Sequence, residues 1–134
     1  MWLVASSLSP LLPLPATVRL PAAVILALAG VAIALSGVIS FRRAQTTVNP
    51  LKPETSTALV STGIYRITRN PMYLGMLAVL LAWAAYLSSA WALLGPAAFA
   101  LYITRFQIIP EERALRSLFG TEFVEYTQRT RRWL

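Results

Sequence analysis

Residues 21 to 41, PAAVILALAGVAIALSGVISF, carry no charge over the length that a bilayer crossing requires. Inside lipid every backbone N–H and C=O has to be satisfied within the segment, so a stretch of this kind is committed to helix. Two further apolar runs follow: 71 to 87, PMYLGMLAVLLAWAAYL, and 90 to 109, AWALLGPAAFALYITRFQII, with Arg105 near the end of the second. The link between them, around Ser88 and Ser89, is so short that it dictates an antiparallel helical hairpin. The N-terminal stretch MWLVASSLSPLLPLPATV is equally uncharged, but Pro10, Pro13 and Pro15 oppose one straight helix. It reads as a short or broken crossing; a secretory signal is the competing reading, and it lacks the positive start of such peptides.

Composition agrees with this class. Hydrophobic residues make up 57% of the chain and charged residues 13%, about half the share of a soluble domain. The expected fold is all-α: a multi-pass transmembrane bundle of three spans plus the broken N-terminal helix. A single domain is expected over residues 1–134, with a polar loop at 42–70 and an amphipathic helical segment at 110–134.

Charge placement orients it. Arg42 and Arg43 follow the first span, Lys52, Arg66 and Arg69 precede the second, and Arg113, Arg116, Arg129, Arg131 and Arg132 follow the third, whereas the other side offers only Arg19. Basic residues concentrate on the cytosolic side of membrane proteins, so loop and tail are expected in the cytosol, with a prokaryotic cytoplasmic membrane as the setting. A net charge of +7 divided in this way is a membrane signal and not a nucleic-acid footprint.

Several chemistries are excluded by residues the chain lacks. There is no Cys, His or Asp, which removes thiolate nucleophiles, Ser-His-Asp arrangements and the ordinary metal ligands, so no metal site is expected. The five Glu all lie outside the three spans. A small exporter, one rival reading, normally needs an ionisable residue at mid-membrane.

Polar groups gather in two patches instead, and the hairpin makes neighbours of residues 69–75 and 105–112. In TRNPMYLG, Pro71 suits a first helical position and Asn70 the cap before it, which leaves leading N–H groups directed at the cytosol. Arg69 adds a fork for a carboxylate or phosphate, Tyr65 and Tyr73 add aromatic faces, and Gly63 and Gly75 permit close backbone approach. Each feature also has an ordinary structural use as helix start, flanking anchor or interfacial aromatic. In the second patch Pro110 is expected to kink or restart the helix, placing Glu111 and Glu112 in a first turn. A ligand that is partly anionic and partly cationic, with hydroxyls and a flat ring, satisfies both patches, and S-adenosylmethionine has that inventory.

GIYRITRNPMYLG, followed about 35 residues later by PEERALRSLFGTEFVEYTQRTRRW, resembles the membrane methyltransferases related to isoprenylcysteine carboxyl methyltransferase and phospholipid N-methyltransferases. The likeness covers roughly residues 40 to 134. It implies a helical membrane enzyme that binds S-adenosylmethionine in a cytosol-facing pocket and takes a lipid-like acceptor, a carboxylate or an amine, from the membrane. Carried over by position, Gly63, Tyr65, Arg69, Asn70, Pro71, Tyr73 and Gly75 line the cofactor cavity, with Glu111 and Glu112 holding its polar groups. Glu112 and Arg105 are the catalytic candidates, and Arg129 and Arg132 the substrate-binding ones. Two departures stand out: many relatives carry His where Asn70 stands, and the carboxyl methyltransferases have additional Arg where this chain has Arg105 and then Gln107. A non-catalytic membrane subunit is the third reading. Its tail binds a partner or lies along the headgroups as a surface-seeking helix bearing Phe123, Tyr126 and Trp133, with Thr121 as N-cap.

Overall fold

The computed structural model describes residues 15–43 and 59–134, and every regular element within them is helical. The expectations for the N-terminal crossing and for most of the 42–70 loop lie outside the described residues. Helix α1 (Ala16–Arg43) runs unbroken through Pro21. A short 3-10 turn (Gly63–Arg66) leads into α2 (Pro71–Leu87). After Ser88, in the left-handed conformation, a second 3-10 turn (Ala90–Leu93) opens α3 (Leu94–Ile103), a π-helical segment (Thr104–Ile108) and α4 (Ile109–Phe119). Helix α5 (Thr121–Arg129) completes the order.

Helices α1 and α2 are antiparallel. At one end the Arg19 guanidinium lies 5.8 Å from the centre of the Tyr86 ring; at the other Gly37 abuts Pro71. Small residues allow the approach. A Cβ on Gly30 would stand 2.6 Å from the Gly75 carbonyl oxygen, and one on Gly75 would strike the Gly30 carbonyl and Ala34. Ala23, Ala78 and Ala82 are buried on the faces that form this seam, whereas Ile25 and Leu28 are 68% and 64% exposed. Large side chains outside and small ones inside is the distribution that lipid favours, because hydrocarbon solvates Leu as well as a core does and close backbone packing has to hold the helices. Two helices, Thr17–Arg43 and Ala90–Phe119, are long and apolar enough to cross a bilayer, and Pro71–Leu87 is shorter. This is a membrane protein.

Pro110 stands in the first turn of α4 together with Glu111 and Glu112, as the sequence implies, and the backbone there stays helical. The helical run continues from Ala90 to Phe119, and the turn just before the proline widens into the π segment. Proline withholds one N–H from the ladder, and a wider turn shifts the pairing so that the gap is absorbed without a break.

The tail departs from expectation. Helix α5 turns its apolar face inward: Phe123 is 1% exposed and Tyr126 is buried with Val60 and Tyr65, flanked by Phe41, Leu59, Ile64, Leu115 and Phe119. Phe123 and Tyr126 therefore do not form a lipid-seeking surface with Trp133, and the helix ends at Arg129. An amphipathic stripe has the same period whether protein or headgroups receive it. Gly120, at φ +53°, holds the cap position expected of Thr121, which is the first helical residue.

Candidate functional site

Helix α2 begins at Pro71 with Asn70 before it, as the sequence implies, yet the Asn70 side chain caps nothing. Its Nδ2 donates instead to the Arg132 carbonyl at 2.9 Å. The extended residues after α5 run alongside 66–70 and are stitched to them. The Arg69 N–H donates to the Arg131 carbonyl (3.0 Å), Thr68 Oγ1 to the Arg132 carbonyl (3.4 Å), and Thr130 Oγ1 to the Arg66 carbonyl (3.5 Å). Thr68 is fully buried and accepts the Asn70 N–H at 3.2 Å, which fixes the turn into α2.

This clasp brings the two patches together. Tyr73 Oη donates to Glu111 Oε1 at 2.6 Å, joining the first turn of α2 to α4. Arg132 meets Glu112 with both arms, Nε to Oε1 at 2.8 Å and Nη2 to Oε2 at 2.9 Å, a bidentate charge-assisted pair. Arg69 Nη1 stands 3.4 Å from Glu112 Oε1, an ion pair longer than a good hydrogen bond. Two guanidinium groups thus share one carboxylate, and the buried Arg69 Nε has no partner among the described residues. An orphaned cationic donor beside two carboxylates forms a compact polar cluster at the end of an apolar bundle.

A match over residues 18–122 to the model of a family described as phospholipid methyltransferase covers most of the chain. The chain belongs to the phospholipid methyltransferase family. An uncharacterized protein of Haemophilus influenzae is 49% identical over 63 residues, 47% of this chain and all of that one. No solved structure matches the chain. Membership in the phospholipid methyltransferase family implies methyl transfer and points to a lipid substrate.

Within this family member the other sequence candidates are dispersed. Gly75 faces Gly30 in the α1–α2 seam, so the approach it permits is between helices. Gly63 has φ +62°, and its missing Cβ leaves room for Ser40 Oγ. Tyr65 lies edge-on to Phe41, ring centres 5.2 Å apart, and its carbonyl accepts the Tyr126 hydroxyl at 2.7 Å. Pro71 is buried against Gly37. Arg105 is exposed and stacks on Phe106 at 5.5 Å, with no ion pair to a carboxylate among the described residues. Arg129 is separated from Arg132 and faces a different cleft, with Arg66.

The tail's part in the cluster carried little signal in sequence. Arg132 read as a substrate-side candidate, but its partner is Glu112, reached only because α5 ends early. Thr68 and Thr130 carry no signal in sequence, since a lone threonine beside an arginine matches no motif.

The charged groups respond to this setting. The hydrogen bonds that Arg132 donates to Glu112 push its guanidinium above the usual range. Burial drives Arg69 downward, opposed by the attraction of Glu112. Burial raises Tyr126, and although Arg69 and Arg129 pull the other way the phenol stays protonated, as its donation to the Tyr65 carbonyl requires.

Proposed function

We propose that the chain is an S-adenosylmethionine-dependent methyltransferase whose site lies at the polar end, on the cytosolic face of the membrane. Its acceptor is a lipid-like amine or carboxylate. We further propose that α2, despite its 17 residues, forms a third crossing beside the two longer helices; about 25 Å of helix needs only modest local thinning of a bilayer. The observation that carries the reading is the meeting of Arg69 and Tyr73 with Glu111 and Glu112.

The residues fit the cofactor. An amino-acid carboxylate suits the Arg69 Nε donor, which is otherwise orphaned, and hydroxyls or an ammonium suit the two glutamates. When bound, S-adenosylmethionine supplies an activated methyl group on a sulfonium. The chain's own contribution is position and dryness: Arg69, Asn70, Tyr73, Glu111 and Glu112 hold and orient, and the tail clasp keeps water away. Gly63, Tyr65, Pro71 and Gly75 serve the site by fixing the backbone that presents those groups.

An amine acceptor has to lose a proton. Both oxygens of Glu112 are engaged by Arg132, which assigns it to holding; Glu111, bound among the described residues by the Tyr73 hydroxyl, is the better placed carboxylate to take that proton. Arg105 and Arg129, outside the cluster, are left to contact the acceptor.

Calorimetric titration of detergent-solubilised protein with S-adenosylhomocysteine tests the proposal. Saturable binding is expected, weakened about tenfold or more in Glu112→Gln through loss of a charge-assisted contact. No binding by the wild type, or equal affinity in the variant, overturns it.

A further inference from the structure

The polar end holds a second concavity, an open cleft of about 410 Å³ lined by Ser61, Thr62, Arg66, Tyr126, Arg129 and Thr130. None of the residues of the carboxylate cluster belongs to it. Its wall is chemically one-sided, with two guanidinium groups, three aliphatic hydroxyls, a phenol and no carboxylate. Arg69 and Arg132 share Glu112, but among the described residues neither Arg66 nor Arg129 has an anionic partner. Two like charges bordering one cleft repel each other until an anion lies between them.

The cleft is also built in advance. Tyr126 Oη is committed to the Tyr65 carbonyl and Thr130 Oγ1 to the Arg66 carbonyl, so the segments forming its two sides are tied together by their own bonds. The contacts of Gly63 with Ser40 and of Tyr65 with Phe41 fix the wall to the last turn of α1, where the exposed Arg42 and Arg43 extend the positive surface. A preformed site loses little ordering entropy when it binds.

We propose that this cleft binds a phosphate group, with Arg66 and Arg129 on its charged oxygens and the Ser61 and Thr62 hydroxyls on the remainder. A tetrahedral anion with several terminal oxygens uses two forks and two hydroxyls at once; a planar carboxylate, with two oxygens and one charge, does not. The volume exceeds that of a bare phosphate and accommodates an esterified one. A lipid headgroup and a soluble phosphate present the same chemistry here. The cleft shares Arg129 with the acceptor contact proposed above, so a headgroup in it deepens that reading, whereas phosphate binding itself requires no methyl transfer.

The test is thermal unfolding of the full chain in uncharged detergent at constant ionic strength. Inorganic phosphate and dihexanoyl phosphatidic acid are titrated separately, with KCl and hexanoate as controls. A saturable rise in the unfolding midpoint is expected with phosphate compounds only, and the half-saturating concentration is expected to rise about tenfold or more in Arg66→Gln/Arg129→Gln. Glu112→Gln is expected to retain the response whatever its cofactor affinity, which separates this site from the other. A response to both compounds identifies a soluble phosphate as sufficient, and a response to the lipid alone identifies a headgroup site. Should the double variant not fold, Arg129→Lys, which keeps the charge and loses the fork, is expected to weaken the response. Equal shifts with KCl or hexanoate, or an undiminished response in the arginine variants, overturn the proposal.

Discussion

Between α1 and α2 the buried residues are Gly30, Gly37, Gly75 and a set of alanines; at the polar end they are Tyr65, Phe123 and Tyr126. The first region excludes large side chains from its interior and the second collects them. The difference follows from the solvent. Where water surrounds the chain, removing a large aromatic from it is the main source of stability, and side chains fill the space between elements. Where lipid surrounds it, little is gained by exchanging tail contacts for protein contacts, and helices hold together by bringing backbones close. One short chain contains both solutions, and the charged cluster lies at their junction, joined to α2 through Tyr73 and to the tail through Arg132.

The sharpest way to break this comparison is Phe123→Ala. The ring is almost fully enclosed, so its removal is expected to cost about 3–5 kcal/mol and to loosen α5 with the clasp beyond it. Denaturant unfolding in detergent measures the loss, and a change below about 1 kcal/mol contradicts a water-type core at this end. Next in size is Gly30→Val, whose Cβ collides with the Gly75 carbonyl; about 1–3 kcal/mol is expected as α1 and α2 are forced apart. Were that variant as stable as the parent, backbone contact between these helices would not be what holds them.

Tyr126→Phe isolates the polar contribution within the core. It deletes the hydroxyl bonded to the Tyr65 carbonyl and leaves that acceptor buried, at about 1–2 kcal/mol. Full retention of stability would show that the carbonyl finds another donor. Smallest of all is Leu28→Ala on the outward face of α1, where a change within about 0.5 kcal/mol is expected in detergent. A loss comparable with that of Phe123→Ala would place Leu28 in a protein interface and erase the distinction between the two regions.

Much of this architecture is legible in the order of the residues. The uncharged runs announce the long helices, and the two-residue link announces the hairpin that brings residues 69–75 beside 111 and 112. Pro71 marks the start of α2 as expected. Legibility fails where one local pattern serves two purposes. Asn70 before Pro71 reads as a cap, but its side chain makes no cap bond and its Nδ2 donates to the Arg132 carbonyl of the tail. Pro110 marks the first turn of α4 that carries Glu111 and Glu112, but nothing in the sequence foretells the wider π turn before it. The stripe of Phe123 and Tyr126 reads as a membrane-facing surface because hydrophobic periodicity does not say what receives it.

The sequence by itself determined the helical membrane class, the pairing of the last apolar runs and the proximity of the Arg69 and Glu112 patches, since these follow from run length, linker length and residue spacing. Only the tertiary structure decided that Gly75 serves a helix seam, that Arg129 and Arg132 occupy separate places, and that the tail closes over the start of α2. Those outcomes depend on which of several chemically adequate partners reaches a group first in three dimensions, and that competition is among residues 20 to more than 60 positions apart.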